Sequence, residues 1–130
     1  MTDDRGATGP PGDLIELRDL RVVAFCGVLP EEQARRQPFA IDLDVVTDLS
    51  VAGRTDDLDD TIDYGAVTDA VIAAVDSSRF ALLERLAQAI ATVVLADERV
   101  RSVTVSVRKL RPPVPHDLAS SGVRISRTRP

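Results

Sequence analysis

The sequence predicts an α+β domain of order β-β-α-α-β-β, one four-stranded antiparallel sheet with two helices on one face. Three observations carry that prediction. Phe39, Ile41, Leu43 and Val45 alternate with Asp42 and Asp44, and Val103, Val105 and Val107 alternate with Thr104 and Ser106, the period of strands that are apolar on one side only. Between these stretches apolar residues recur twice at helical spacing. The 130 residues, 44% hydrophobic with eight Pro and seven Gly, have the composition of a single small globular domain.

Residues 1–13 (MTDDRGATGPPGD) hold three of the seven glycines, two prolines and almost nothing apolar, and are expected to form a disordered leader before a domain spanning 14–130. Ile15 and Leu17, then Leu20, Val22 and Ala24, form the first strand, with a phase slip at Asp19 that suggests a bulge. Glu31 and Glu32 follow Pro30 and read as solvated loop charges. The second strand is the Phe39–Val45 alternation. The stretch from Ser50 to Asp63 is a polar, acidic connection that ends in Asp63, a helix N-cap. Val67, Ala70, Val71, Ala74 and Val75 then mark one helix, and Tyr64 at its start is expected to bury its ring with the hydroxyl at the surface. Ser77 and Ser78 break the pattern and are expected to cap a second helix with its stripe on Leu83, Leu86, Ala87, Ile90 and Val94. The third strand is the valine alternation after Arg101. Val123 and Ile125 suggest a short fourth beyond the Pro112-Pro113-Val114-Pro115 loop. The polar face of Asp42, Asp44, Thr104 and Ser106 either lines a barrel made by several subunits or faces solvent.

Composition narrows the chemistry. Sixteen basic against 21 acidic residues give a formal charge of −5, which repels phosphate backbones, and only Phe25, Phe39, Phe80 and Tyr64 are aromatic. Nucleic acid is therefore not an expected partner. No apolar run approaches the ~18 residues of a membrane span, and the N-terminus lacks the pattern of a secretory signal. With the single cysteine Cys26, these features predict a cytoplasmic protein without a membrane partner. One Cys and one His, His116, fall short of a zinc site, and no phosphate-loop, dinucleotide or nucleophile-elbow motif occurs, so neither a metal nor a cofactor is expected.

Of the 16 basic residues fifteen are Arg, which stays protonated, so Lys109 is the only amine side chain. It continues the parity of Val103, Val105 and Val107 and is expected on the apolar face at the strand end, where desolvation lowers an amine's pKa. A lysine so placed either shuttles protons or snorkels from the sheet edge. Glu84 falls in the first turn of the second helix, roughly 130° from the middle of its apolar stripe, and by default offsets the helix dipole.

Four stretches together resemble the dihydroneopterin aldolase family of folate biosynthesis, which includes the dihydroneopterin triphosphate epimerases. They are Gly27-Val28 followed by Glu32, AGRTDDLDDTIDYG from Ala52 to Gly65, RFALLERLAQAIA from Arg79 to Ala91, and VRKLRPPVP from Val107 to Pro115. The resemblance implies the tunnelling fold, whose subunits close into tetrameric rings or octamers of two rings with active sites between neighbours. It implies metal-free retro-aldol cleavage of a pterin substrate, with no lysine Schiff base. By position, Glu84 matches the pterin anchor, Leu83 a neighbour whose main chain touches the pterin, Lys109 the catalytic lysine, Tyr64 a tyrosine from the adjacent subunit, and Glu32 the glutamate that closes over substrate. Cys26 stands where many members have His, and His116 where many have Gly. The alternatives are triphosphate epimerase activity, for which Arg35, Arg36, Arg108 and Arg111 are available to an anionic tail, and a non-catalytic pterin-binding oligomer.

Overall fold

A computed structural model describes residues 12–130 of the chain. The expected leader lies largely outside the described residues. Four strands, β1 (Asp13–Ala24), β2 (Gln37–Thr47), β3 (Ser102–Lys109) and β4 (Ser121–Thr128), form one antiparallel sheet in sequential order. The register opposes Leu17 to Leu43, Leu43 to Val105 and Val105 to Ile125, so apolar side chains meet across the sheet on one face. The phase slip is a bulge between Leu17 and Leu20, with Asp19 at φ 57° and its N–H donating to Asp42 at 2.7 Å.

The two long helices, α3 (Tyr64–Asp76) and α4 (Leu83–Leu95), cover the apolar face. Asp63 caps α3 as expected, accepting hydrogen bonds from the N–H groups of Gly65 and Ala66. Val71 and Val75 of α3 and Leu86 and Ile90 of α4 are buried against Ile41, Leu43, Val105 and Val107. On the other face Arg18 pairs with Asp44 at 2.5 Å and Thr104 bonds Ser126 at 2.8 Å, a surface of charges and hydroxyls.

Three local expectations are corrected. Ser77 closes α3 and neither it nor Ser78 caps α4, which starts at Leu83 behind Leu82 with no side-chain cap. The delay has a cause: Phe80 N–H donates to Phe25 O at 2.9 Å and Gly27 N–H to Phe80 O at 3.0 Å, which holds this segment in a β-bridge beside Cys26 until Phe80 is buried. The acidic connection is partly helical, with α2 (Ser50–Thr55) and a 3₁₀ turn at Leu58–Asp60. The segment after Pro30 is no plain loop: it forms one turn of helix, α1 (Pro30–Ala34), and carries Glu32 inward. Among the described residues no helix is long and apolar enough to cross a membrane.

Candidate active site

The end of β3 holds the lysine where parity put it. Lys109 is 7% exposed, opposite Phe39 of β2 and Ser121 of β4, on the side of the helices. It does not snorkel. Its Nζ donates to Glu32 Oε2 at 2.5 Å, and Glu32 is itself 4% exposed rather than a solvated loop charge. α1 makes the meeting possible: its first turn directs the carboxylate back under the chain, where Oε1 accepts from the Leu29 N–H at 3.3 Å. Burial pushes the Glu32 carboxyl up, but the hydrogen bonds from Lys109 and Leu29 and the ammonium charge outweigh it, leaving it below its ordinary value.

Gly27 supplies the room. A Cβ there would lie 2.2–2.4 Å from the Glu32 carboxylate, and the residue's φ of +155° is one that side-chain-bearing residues rarely adopt. Beside it Cys26 is fully buried, and burial is the main cause that raises its thiol to about 11, so it stands as a protonated, apolar wall.

These groups line a cavity of about 380 Å³ together with Leu83 and Glu84 from the first turn of α4. Glu84 is exposed there, its carboxylate beside the uncapped N-terminus of a thirteen-residue helix whose leading N–H groups have no intrahelical acceptor. The cavity thus brings into one lining a carboxylate beside helix N–H groups, a buried ammonium–carboxylate pair, and Gly27, Leu82 and Leu83. Tyr64 is not part of it. The residue is 65% exposed at the start of α3, against the expectation that its ring would be buried.

The chain matches known proteins along most of its length. The family model described as FolB, dihydroneopterin aldolase, covers residues 15–126. This chain belongs to the dihydroneopterin aldolase family. The dihydroneopterin aldolase of Streptococcus pyogenes is 34% identical over 118 residues, spanning 90% of this chain and 99% of that protein. The solved dihydroneopterin aldolase of E. coli in complex with neopterin superposes with a TM-score of 0.81 at 30% identity, covering 88% and 98% of the two chains. That of Burkholderia thailendensis, bound to guanine, gives 0.76 at 28% identity over 91% and 92%. The β-β-α-α-β-β domain is therefore the tunnelling fold of the dihydroneopterin aldolase family.

Three of the four family-like stretches converge on the cavity: Gly27 to Glu32 forms one wall, Arg79–Ala91 brings Leu83 and Glu84, and Val107–Pro115 brings Lys109 and Pro113. The fourth, which ends at Tyr64 and Gly65, lies apart from it. His116 sits in the exposed loop before β4 and does not line the cavity. Of the four arginines considered for an anionic tail, Arg108 is on the opposite sheet face within 3.5 Å of Asp19 and 3.8 Å of Asp42, because it has the polar parity of β3. Arg35, Arg36 and Arg111 line a separate cleft of about 300 Å³ that shares Glu32 and Pro113 with the cavity. Gln33, next to Glu32 in α1, bonds Gly27 O and Phe80 O, and nothing in the sequence distinguishes it from any polar loop residue.

Proposed function

We propose that this protein is a dihydroneopterin aldolase, a lyase that splits 7,8-dihydroneopterin into 6-hydroxymethyl-7,8-dihydropterin and glycolaldehyde. The observation that carries the reading is one cavity lined by both Glu84 and the Glu32–Lys109 pair. Family membership and the neopterin complex of the E. coli relative support it.

Glu84 accepts two hydrogen bonds from the N3–H and 2-amino edge of the pterin, a fork that a carboxylate fits. Guanine, the ligand of the Burkholderia relative, offers the same pair of donors. The uncapped Leu83 main chain lies beside that ring. Glu32 turns to the side-chain hydroxyls and limits solvent entry. Lys109, working through a water, removes the side-chain hydroxyl proton; the C1′–C2′ bond breaks, its electrons enter the C6=N5 imine, and N5 takes up a proton. Glycolaldehyde leaves, Tyr64 relays a proton to the enamine carbon, and N5 returns its proton to the solvent chain as the C6=N5 imine re-forms. Because the ring imine is the electron sink, the reaction needs neither a metal nor a lysine Schiff base.

Tyr64 takes part only if it comes from a neighbouring subunit, so the reading includes a homo-oligomeric ring, tetramer or octamer. Its exposed ring supports this, as do the two open sheet edges, β1 and β4, available to pair with other copies. In such a ring the polar sheet face lines the lumen.

The arginine cleft favours a second reading, triphosphate epimerase activity, in which the tail passes between Glu32 and Pro113 to Arg35 and Arg111. Incubation of the purified protein with dihydroneopterin and with its triphosphate, followed by mass identification and chiral separation, tests both. Glycolaldehyde from the free pterin supports the aldolase. Epimer without cleavage, from the triphosphate alone, replaces it with the epimerase, and no product from either refutes both. Borohydride added during turnover is expected to leave no substrate adduct on Lys109.

A further inference from the structure

We propose that Gln33 is a positioning residue, whose side-chain amide staples α1 in place so that Glu32 stays at the cavity wall against Lys109. The inference rests on the active-site reading above and names a residue that reading does not use.

A five-residue helix does not hold itself together in water, because its nucleation cost outweighs the few hydrogen bonds it closes. Something in the surrounding fold must hold α1. Gln33 Nε2 donates to Gly27 O at 2.6 Å and to Phe80 O at 2.8 Å, spending both protons of one amide on two separate segments. Gly27 follows β1 and faces the Glu32 carboxylate, whereas Phe80 leads into α4, which carries Leu83 and Glu84. Phe80 O also accepts from the Gly27 N–H at 3.0 Å, so the two carbonyls belong to one small ladder that Gln33 closes. From the same side Arg79 Nε donates to Gln33 O at 3.0 Å, with its guanidinium over the Phe25 ring at 4.2 Å.

The chemistry admits few substitutes. Two carbonyl oxygens converge on one point and need a neutral group of that reach with two N–H donors. A carboxylate there repels both oxygens, and an apolar side chain takes the side-chain donor from both, leaving Phe80 O only the Gly27 N–H. Glu32 is the next residue, so any swing of α1 moves its carboxylate relative to Lys109 and to a bound tail.

The test compares the full-length protein with Gln33→Met, Glu32→Gln and the double variant. In the native background Gln33→Met is expected to lower kcat/KM for dihydroneopterin about tenfold, the scale of one to two neutral hydrogen bonds. In the Glu32→Gln background it is expected to cost less than about twofold, since the group it positions is already altered. An equal loss in both backgrounds overturns the proposal, because Gln33 then acts on the scaffold. A second readout needs no turnover. Lys109 is the only lysine side chain, so its reductive methylation is followed at one peptide, and it is expected to speed up several-fold in Gln33→Met as Glu32 uncovers the amine. An unchanged rate overturns the proposal even if the native protein cleaves nothing, and so separates it from the aldolase reading. If Gln33→Met melts at the assay temperature, Gln33→Asn, which keeps the amide and shortens its reach by one carbon, is read in the same two assays.

Discussion

Lys109→Gln separates the structural from the chemical role of the buried pair. Both side chains are nearly closed to solvent, 9% and 5% exposed, and their polar atoms are 2.5 Å apart. Removing one member of a buried pair costs about 3–5 kcal/mol, because the other charge stays desolvated without its counterion. Glutamine has nearly the reach of lysine and still donates to the Glu32 carboxylate, which returns about 1.5 kcal/mol. The variant is therefore expected to lose about 2–3 kcal/mol near neutral pH, severe against a typical total of ~5–15 kcal/mol but compatible with folding. The pH dependence gives the sharper signature. The folded Glu32 carboxyl titrates below its ordinary value, so in the native protein its contribution is present above the ordinary carboxylate pKa and is lost as pH falls through the folded one. In Lys109→Gln the burial remains and the ammonium is gone, so Glu32 takes up its proton at higher pH. The stability gap between the two proteins should shrink as pH is lowered through the carboxylate range. Urea unfolding at fixed protein concentration, near neutral pH and near pH 4, measures the gap, while product formation and pterin titration measure the chemistry. We expect pterin affinity to be kept and turnover to be lost. Unimpaired turnover would refute the assignment of Lys109, and a gap independent of pH would refute the pairing argument.

Glu84→Gln leaves one acceptor and one unwanted donor toward a pterin edge with two donors, and is expected to weaken dihydropterin binding by about one to two powers of ten; equal affinity by fluorescence titration would make Glu84 a helix-end charge only. Gly27→Ala puts a Cβ 2.2–2.4 Å from the Glu32 carboxylate, so it is expected to cost about 1–3 kcal/mol in thermal unfolding and to depress turnover with it. An alanine variant with native Tm and rate would mean that the Glu32 carboxylate is not held against Gly27. Mixing inactive Tyr64→Phe with inactive Lys109→Gln under subunit exchange should restore roughly a quarter of native activity, the fraction of interfaces in which both native residues meet. If hybrid rings form and activity stays at the single-variant level, the two residues do not share a site across an interface.

Much of this architecture was legible because local periodicity and burial agree. The alternation at Phe39–Val45 and Val103–Val107 became β2 and β3, and the same counting placed Lys109 on the core side and Arg108 on the polar side of one strand. Asp63 capped its helix because a cap acts within three residues and needs no distant partner. The errors cluster where a long-range contact overrides local preference. Ser77 and Ser78 had the chemistry of a cap, but the Phe80 backbone was already committed to Phe25 and Gly27, in the segment after β1 more than fifty residues earlier in the chain.

By itself the sequence determined the strand and helix order, the two faces of the sheet, and the position of the lone amine on the buried one. These depend on periods of two and 3.6 residues and on which side chains leave water. Only the tertiary structure decided that Glu32 is buried against Lys109, that Gly27 must lack a side chain to admit it, and that one glutamine holds the turn of helix between them. The physical reason is sequence distance. Glu32 and Lys109 are 77 residues apart, and a carboxylate is driven inside only when a counterion and backbone donors meet it there. No pattern around Pro30 records that a strand end from the other half of the chain will supply them.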